Sequence, residues 1–521
     1  MKKLSLLSTV SAAAVLFAAN AYALDNFVNI DQVTQNNAAG AVQSGSENES
    51  RIYQKGDVYN KSYSTQIGNQ NQYLSSQNGK NNEATGYAAG VANEAIIDQT
   101  GLNNKSINSV QGNNNDIVTV QTGNDHYSQI TQNSNSAIAN VRQEGANQKT
   151  FLFQGGTENR AFLSQENSSN FINGYQDGIR NRVTAAQTGN FQKLSFDQRG
   201  VESNINATQS GSDHTAFVGQ NGSNGTVNLG QAGLQHNAYM TQSGSQNVAN
   251  LNQQNQGNGI VGNQSGFKNT ANVNQIDQFQ YLTFSQTGNK EVLNSNQSGI
   301  SNKAHVNQNG NNGVFNLEQI GNNNKTVADL EGSHTTFAPT KDYPYGVKST
   351  NVKQVGGSNY AQVTQRGGDP LADINQTGVN HAAFLYQEGN TNTFLLKQNG
   401  DGNFANGYQT FQNNTANITQ DGFWHKATVE QTGREGTALV LQTGGNQEAY
   451  IYQKGRLQVA ESNQEGYGNK LIVAQDGLNN YTKSYQRAEG NFANVSQTGT
   501  TDSAFINQLD SFNSINVSQA D

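Results

Sequence analysis

The sequence predicts an all-β protein, an amyloid-like β-solenoid of about 22 two-stranded rungs, each rung a coil of two strand-turn units. Three observations predict it. Glutamine recurs at every eleventh position, as at Gln187, Gln198, Gln209, Gln220, Gln231 and Gln242, and the register extends back to Gln32 and forward to Gln519. Residues four and two places before each glutamine are mostly apolar and those between them mostly polar, as with Leu194 and Phe196 before Gln198; this is the alternation of a half-buried strand. Finally, only 33% of the 521 residues are hydrophobic and 13% charged, while about a quarter are Asn or Gln. Such a chain either stays disordered or builds a thin structure whose polar side chains pair with one another, and strict periodicity selects the second.

The elements follow in order. Residues 1–23 read as a signal peptide: Lys2 and Lys3, an apolar run from Leu4 to Ala19, and an Ala-x-Ala site predicting cleavage after Ala23. Residues 24–31 form a short N-terminal segment, and the repeats occupy 32–330 and 349–521. With the glutamine as position zero, Gly usually stands at +2 and Asn often at +3 to +5, as in Gln99-Thr100-Gly101-Leu102-Asn103-Asn104. These residues tolerate positive φ, so the stretch from +2 to +5 is expected to be the corner. Because side chains alternate faces, the glutamine points inward with −4 and −2. A buried amide is costly unless bonded, and stacked glutamines remove that cost by bonding along the column. The expected inward columns include, beyond those already named, Gln264, Gln286, Gln308, Gln376, Gln398, Gln420 and Gln442. Coils stacked at about 4.8 Å give a rod roughly 105 Å long.

Two stretches depart from the pattern. Between Ser50 and Ser136 the inward slots hold Ser64, Ser75 and Asn108, which predicts the least protected part of the rod. Residues 331–348 hold Pro339 and Pro344 where a strand and turn belong; the segment is expected to be an irregular insertion, one distorted unit bulging from an unbroken stack.

Units such as Gln264-Ser265-Gly266-Phe267-Lys268-Asn269-Thr270-Ala271-Asn272-Val273-Asn274-Gln275 resemble the curlin repeat, and the likeness runs through essentially all of the chain after the signal. Curlins are subunits of curli, the extracellular amyloid fibres of bacterial biofilms. The resemblance implies a strand-turn-strand solenoid, export of an unfolded chain through an outer-membrane pore, and nucleated assembly at the cell surface, alone or with other curlin subunits. This chain is far longer than the usual member.

Other function classes are disfavoured. The net charge of −8 is modest and the 30 Lys and Arg are scattered, so nothing points to nucleic acid. No further apolar run reaches the roughly 20 residues of a membrane helix. Phosphate-loop, HExxH and G-x-S-x-G motifs are missing, and neither catalysis nor a cofactor is expected. His126, His214 and His236 stand at +5 in one column of turns and His381 and His425 at +5 in the other; substitution in a solvated corner is favoured over a metal site. Outward aromatics are expected to stack, Phe217 with Tyr239 and Tyr386 with Tyr408. His334, Lys341, Asp342, Tyr343 and Tyr345 cluster in the insertion without the sheltered cleft that catalysis needs.

Both ends of the repeat array read as full units without caps, templates for another copy's strand. Head-to-tail addition through such ends gives a filament. The expected function is therefore a structural subunit of secreted, curli-like fibres that serve the biofilm matrix, adhesion and cell aggregation. The alternative is a monomeric secreted adhesin or carbohydrate-binding rod of the same fold.

Overall fold

A computed structural model describes residues 25–34, 36–333 and 348–520. The chain is all-β among these residues, with forty-four strands from β1 (Phe27–Gln32) to β44 (Ser514–Gln519). It divides into two compact units, Met1–Gly257 and Asn258–Asp521. The signal segment and the cleavage site after Ala23 lie outside the described residues, as do His334, Lys341, Asp342, Tyr343 and Tyr345.

Each unit is a parallel β-solenoid. Odd-numbered strands pair only with odd and even only with even, so each unit stacks two facing sheets, and one coil contributes a strand to each. Forty-four strands at two per coil amount to 22 coils, shared between the units. Register follows the period of the sequence. In the first unit Leu194, Phe196 and Gln198 lie beside Ala216, Val218 and Gln220 of the next rung. In the second, Phe394, Leu396 and Gln398 lie beside Ala416, Ile418 and Gln420. These −4, −2 and zero positions are buried, and the residues between them face outward.

The narrow core is packed by pairing large side chains with absent ones. Phe196 fills the space left by Gly174 on the neighbouring strand, Phe394 that left by Gly407, and Tyr73 that left by Gly86; a Cβ at any of the three glycines would enter the ring. The poorly apolar stretch after Ser50 is closed by hydroxyls and a buried phenol. Ser50 meets Ser64 at 2.8 Å, Ser62 meets the Tyr73 hydroxyl at 3.2 Å, and Thr119 donates to Asn108 at 3.2 Å. Burial pushes the Tyr73 phenol up to about 12.

The corner differs from the sequence expectation. Most strands run from −5 to +3, so the glycine at +2 lies inside the sheet and the chain turns at +4 and +5. The left-handed conformation falls at +4, where Asn103, Gln235 and even Trp424 adopt φ of 55°, 58° and 59°. Glycine at +2 answers a second demand. Gly200 has φ of 147°, and a Cβ there would strike the carbonyl oxygen of Gly222 one rung on.

The frame across the interruption also differs. Gln319 pairs with Gln354 and Leu330 with Gln365, each as the next rung. Neighbouring strands β28 (Lys325–Ser333) and β29 (Lys348–Gly357) therefore have their zero positions at 330 and 354, more than two periods apart instead of one. The strands on either side of the interruption are thus consecutive in the stack, which sets the frame after it, while the distorted unit expected at 331–348 lies largely outside the described residues. Restoring the frame moves His381 and His425 to turns after odd-numbered strands, the same kind of turn that carries His126, His214 and His236.

Candidate functional site

What recurs among the described residues is a polar core and two outward faces. Each inward glutamine projects from a strand whose −4 and −2 side chains shield it, so its carboxamide must bond within the stack. It does so twice. Gln187 Nε2 donates to Gln209 Oε1 at 2.7 Å, and Gln209 Nε2 to Gln231 Oε1 at 2.7 Å. The even-numbered column matches it, Gln198 to Gln220 and Gln220 to Gln242, both at 2.8 Å. In the second unit Gln264 donates to Gln286 at 2.7 Å and Gln286 to Gln308 at 3.0 Å. Gln376 to Gln398, Gln398 to Gln420 and Gln420 to Gln442 continue alike at 2.9, 2.8 and 2.9 Å.

The second bond crosses between the sheets. Gln187 Nε2 also donates to the Phe171 carbonyl at 3.2 Å, and Gln376 Nε2 to that of Tyr360 at 3.0 Å. One residue thus fixes register along a sheet and locks the two sheets together. In each of these glutamine–glutamine bonds the lower-numbered residue donates, so the columns are polar. Where glutamine is replaced the chain of bonds stops: beyond Val110, the Oε1 of Gln132 finds no donor among the described residues.

The turns carry a second ladder at +5, a position expected from its polarity to be solvated. Asn104 is buried; its Nδ2 donates to the Gly123 carbonyl at 2.9 Å, and its Oδ1 accepts from the His126 backbone at 3.1 Å. Histidine does the same work. His214 is buried, its Nε2 lies 2.8 Å from the Ser210 carbonyl, and its Nδ1 lies 3.3 Å from the His236 backbone nitrogen. A ring that donates from Nε2 and accepts at Nδ1 is neutral. Burial lowers the pKa of His126, His214, His381 and His425, and lowers that of His236 to about 4. His214 and His236 stack at 5.0 Å, standing in for asparagines.

The outward faces of the two sheets are unlike each other. On the odd-numbered side, asparagines form ladders: Asn206 to Asn228 to Asn250, each 2.8 Å, and in the second unit Asn294 to Asn316 at 2.9 Å and Asn316 to Asn351 at 2.8 Å. The even-numbered side carries the stacked aromatic pairs, while tilted pairs such as Tyr481 with Phe505 also stand on the odd-numbered side. Phe217 stacks on Tyr239 at 4.8 Å, and Tyr386 on Tyr408 at 5.1 Å. Sequence reasoning missed more of this face. Phe153 stacks on Tyr175 at 5.1 Å, and tilted chains link Tyr127, Phe151 and Phe171 in one unit and Tyr360, Phe384 and Phe404 in the other. The stacked pair was legible as a spacing of one full coil; the tilted chains run diagonally between columns, which a single-column count overlooks.

Three segments of the chain, 25–56, 369–400 and 412–444, match the curlin associated repeat family. These three segments are curlin repeats. No curated protein matches the chain. The matched segments lie in both units and share the in-register glutamine geometry of the rungs between them. Among the described residues no helix is long and apolar enough to cross a membrane.

Proposed function

We propose that this protein is a structural subunit of extracellular curli-like amyloid fibres, exported and then assembled head to tail by adding rung upon rung. One observation carries the reading: each rung is built to receive its own copy. Internal neighbours are parallel, in register and glutamine on glutamine, with amide donors on one side of the rung and amide acceptors on the other. Another chain's rung offers the surface that the next internal rung already offers. The strand β44 illustrates a rung covered on one side: Ile515 and Val517 are half-buried there, whereas Ala493 and Val495 one rung in are fully buried. Covering such a rung buries apolar area and completes the glutamine columns, which favours addition of further copies. Polar columns make that addition directional.

The role is structural, and the polymer, formed by this chain alone or beside other curlin subunits, serves matrix and adhesion. The test is a seeding experiment. Purified chain should assemble after a lag that preformed, sonicated filaments abolish. A chain that stays monomeric at high concentration with seeds present contradicts the proposal and favours the monomeric adhesin.

A further inference from the structure

The aromatic face is built twice, once in each unit. On β10 (Tyr127–Asn135) the outward residues are Tyr127, Gln129 and Thr131; on β30 (Tyr360–Arg366) they are Tyr360, Gln362 and Thr364. Two rungs on, β14 (Phe171–Ile179) presents Phe171, Asn173 and Tyr175, and β34 (Phe404–Gln409) presents Phe404, Asn406 and Tyr408. On the rung between, β12 (Lys149–Thr157) carries Phe151 and Phe153, and β32 (Ala382–Glu388) carries Phe384 and Tyr386. Lysines bracket both sets in the same column, Lys105 and Lys193 in the first unit, Lys325 and Lys426 in the second. Even the local bonds repeat: the Tyr127 hydroxyl donates to Gln129 Oε1 at 3.0 Å and the Tyr360 hydroxyl to Gln362 Oε1 at 3.0 Å.

Copying of a block of sequence does not account for this. The odd-numbered strands interleaved with these rungs lie in the same stretch of chain, yet their outward residues differ: Arg142 against Asn375, Phe162 against Leu395, Arg182 against Thr415. Inward residues of the even strands agree only in part: Leu152 and Leu385, and Gly174 and Gly407, are kept, whereas Ser128 stands against Ala361 and Ile172 against Ala405. The outward match is closer, with Lys149 against Ala382 the exception at −5.

The chemistry of that surface fits a sugar polymer that carries carboxylates. Its rings are half-exposed; Phe153 with Tyr175 and Tyr386 with Tyr408 stack face to face, 12° and 11° apart, and the rings of Tyr127, Phe151, Phe171, Tyr360, Phe384 and Phe404 are tilted against one another, so the face is a ridge of ring edges. Such a ridge offers apolar contact to the CH faces of pyranoses, and the tyrosine bond to Oε1 leaves the NH₂ of Gln129 and of Gln362 for hydroxyls. Rungs about 4.8 Å apart approach the length of one sugar in an extended chain. Positive charge is confined to the lysine column: Lys149, Lys193, Lys325 and Lys426 form no ion pair with protein carboxylates among the described residues, Lys325 lying over Tyr360 at 5.4 Å and Lys426 near Tyr450 and Phe404 at 5.3 and 6.0 Å, while the carboxylates Asp197, Glu388 and Glu430 stand at the other edge of the face beside Tyr175, Tyr386 and Tyr408. An acidic polymer would track the lysine edge. We propose that this twice-built aromatic and lysine face is a binding platform for an acidic polysaccharide, one platform in each unit, so that a long chain engages the protein multivalently.

Binding of sodium alginate and of a short oligouronate to the purified full chain tests this, with neutral dextran as comparison. Measurements on soluble chain and on filaments keep the outcome separate from that of assembly. Two oligouronates should bind per chain. Phe151→Thr with Phe153→Thr should leave one, as should Phe384→Thr with Tyr386→Thr, and either pair should weaken long alginate by about tenfold or more. All four together should cost at least about a hundredfold, while Phe162→Thr on the odd-numbered face changes nothing. Lys193→Gln with Lys426→Gln leaves every ring in place and should remove the salt-sensitive part of binding. Wild-type chain that ignores alginate at low salt overturns the proposal, as does a four-site variant that binds normally. Should that variant bind normally but lose side-by-side bundling of filaments, the face belongs to a second copy and the proposal also falls.

Discussion

Gln187→Ala probes the amide column directly. In the wild type, Gln187 Oε1 accepts from Gln165 Nε2 at 2.9 Å, and its Nε2 donates to Gln209 Oε1 at 2.7 Å and to the Phe171 carbonyl at 3.2 Å. Alanine leaves the Gln209 oxygen without its column donor and the Gln165 amide without its column acceptor, both buried. The orphaned Gln209 oxygen costs about 1–3 kcal/mol, the Gln165 amide, which keeps its bond to the Lys149 carbonyl at 3.3 Å, loses about 1 kcal/mol, and the space left by the missing carboxamide adds about 1 kcal/mol. The sum is about 4 kcal/mol, close to a thousandfold in the local opening constant at about 1.4 kcal/mol per tenfold. Solenoid rungs couple chiefly to their neighbours, so the loss should be local. Native-state hydrogen exchange of β13 (Arg160–Ser168), β15 (Arg182–Asn190) and β17 (Asn204–Ser212) should accelerate by a hundredfold or more, with β5 (Gln72–Lys80) unaffected. Gln187→Leu should cost less by the cavity alone, as the natural Leu330 beside Gln308 and Gln365 suggests. An acceleration below about fivefold for the alanine variant would refute the reasoning, because a column of real bonds cannot lose two partners so cheaply.

Three further outcomes follow from the geometry. The buried histidines make stability pH-dependent: their folded pKa values lie below the unfolded value of about 6.5, so stability is complete above that pH and is lost as pH falls through it toward about 4 for His236. His214→Asn with His236→Asn should flatten the denaturation midpoint over that window, and an unchanged slope would contradict the neutral-ring assignment. Gly174→Ala should destabilise by about 1–3 kcal/mol through the Phe196 ring, and Phe196→Val in the same chain should recover part of the loss, a negative coupling read from a double-mutant cycle. Deleting residues 334–346 returns the interval from Leu330 to Gln354 to a single period of the repeat, so strand content by circular dichroism and seeded growth should both survive; loss of either would mean that the insertion supports the stack.

Much of this architecture could be read from the chain because it is one-dimensional: a single short period assigns every residue a column and a face. Inward glutamines, apolar −4 and −2 positions, and the pairs Phe217 with Tyr239 and Tyr386 with Tyr408 follow from that count. The turn was less legible, because glycine advertises positive φ. Here glycine at +2 is demanded by the carbonyl of the next rung as well, while the left-handed turn residue is Lys268 or Trp424 as readily as Asn103. The +5 position looked solvated because its residues are polar; it is buried because it bonds backbone groups of its own and neighbouring rungs. Counting also failed across the insertion, where the interval from Leu330 to Gln354 fits two long units or one unit with an excursion, and only strand pairing decides.

The central claim is that rungs of different chains stack as rungs within one chain do. Fibre diffraction from aligned filaments of the purified chain tests it most directly. The account predicts a reflection at about 4.8 Å on the meridian, along the fibre axis, and a sheet-to-sheet reflection at about 10 Å on the equator. Filaments that place the inter-strand reflection on the equator, with strands running along the fibre instead of across it, would contradict it.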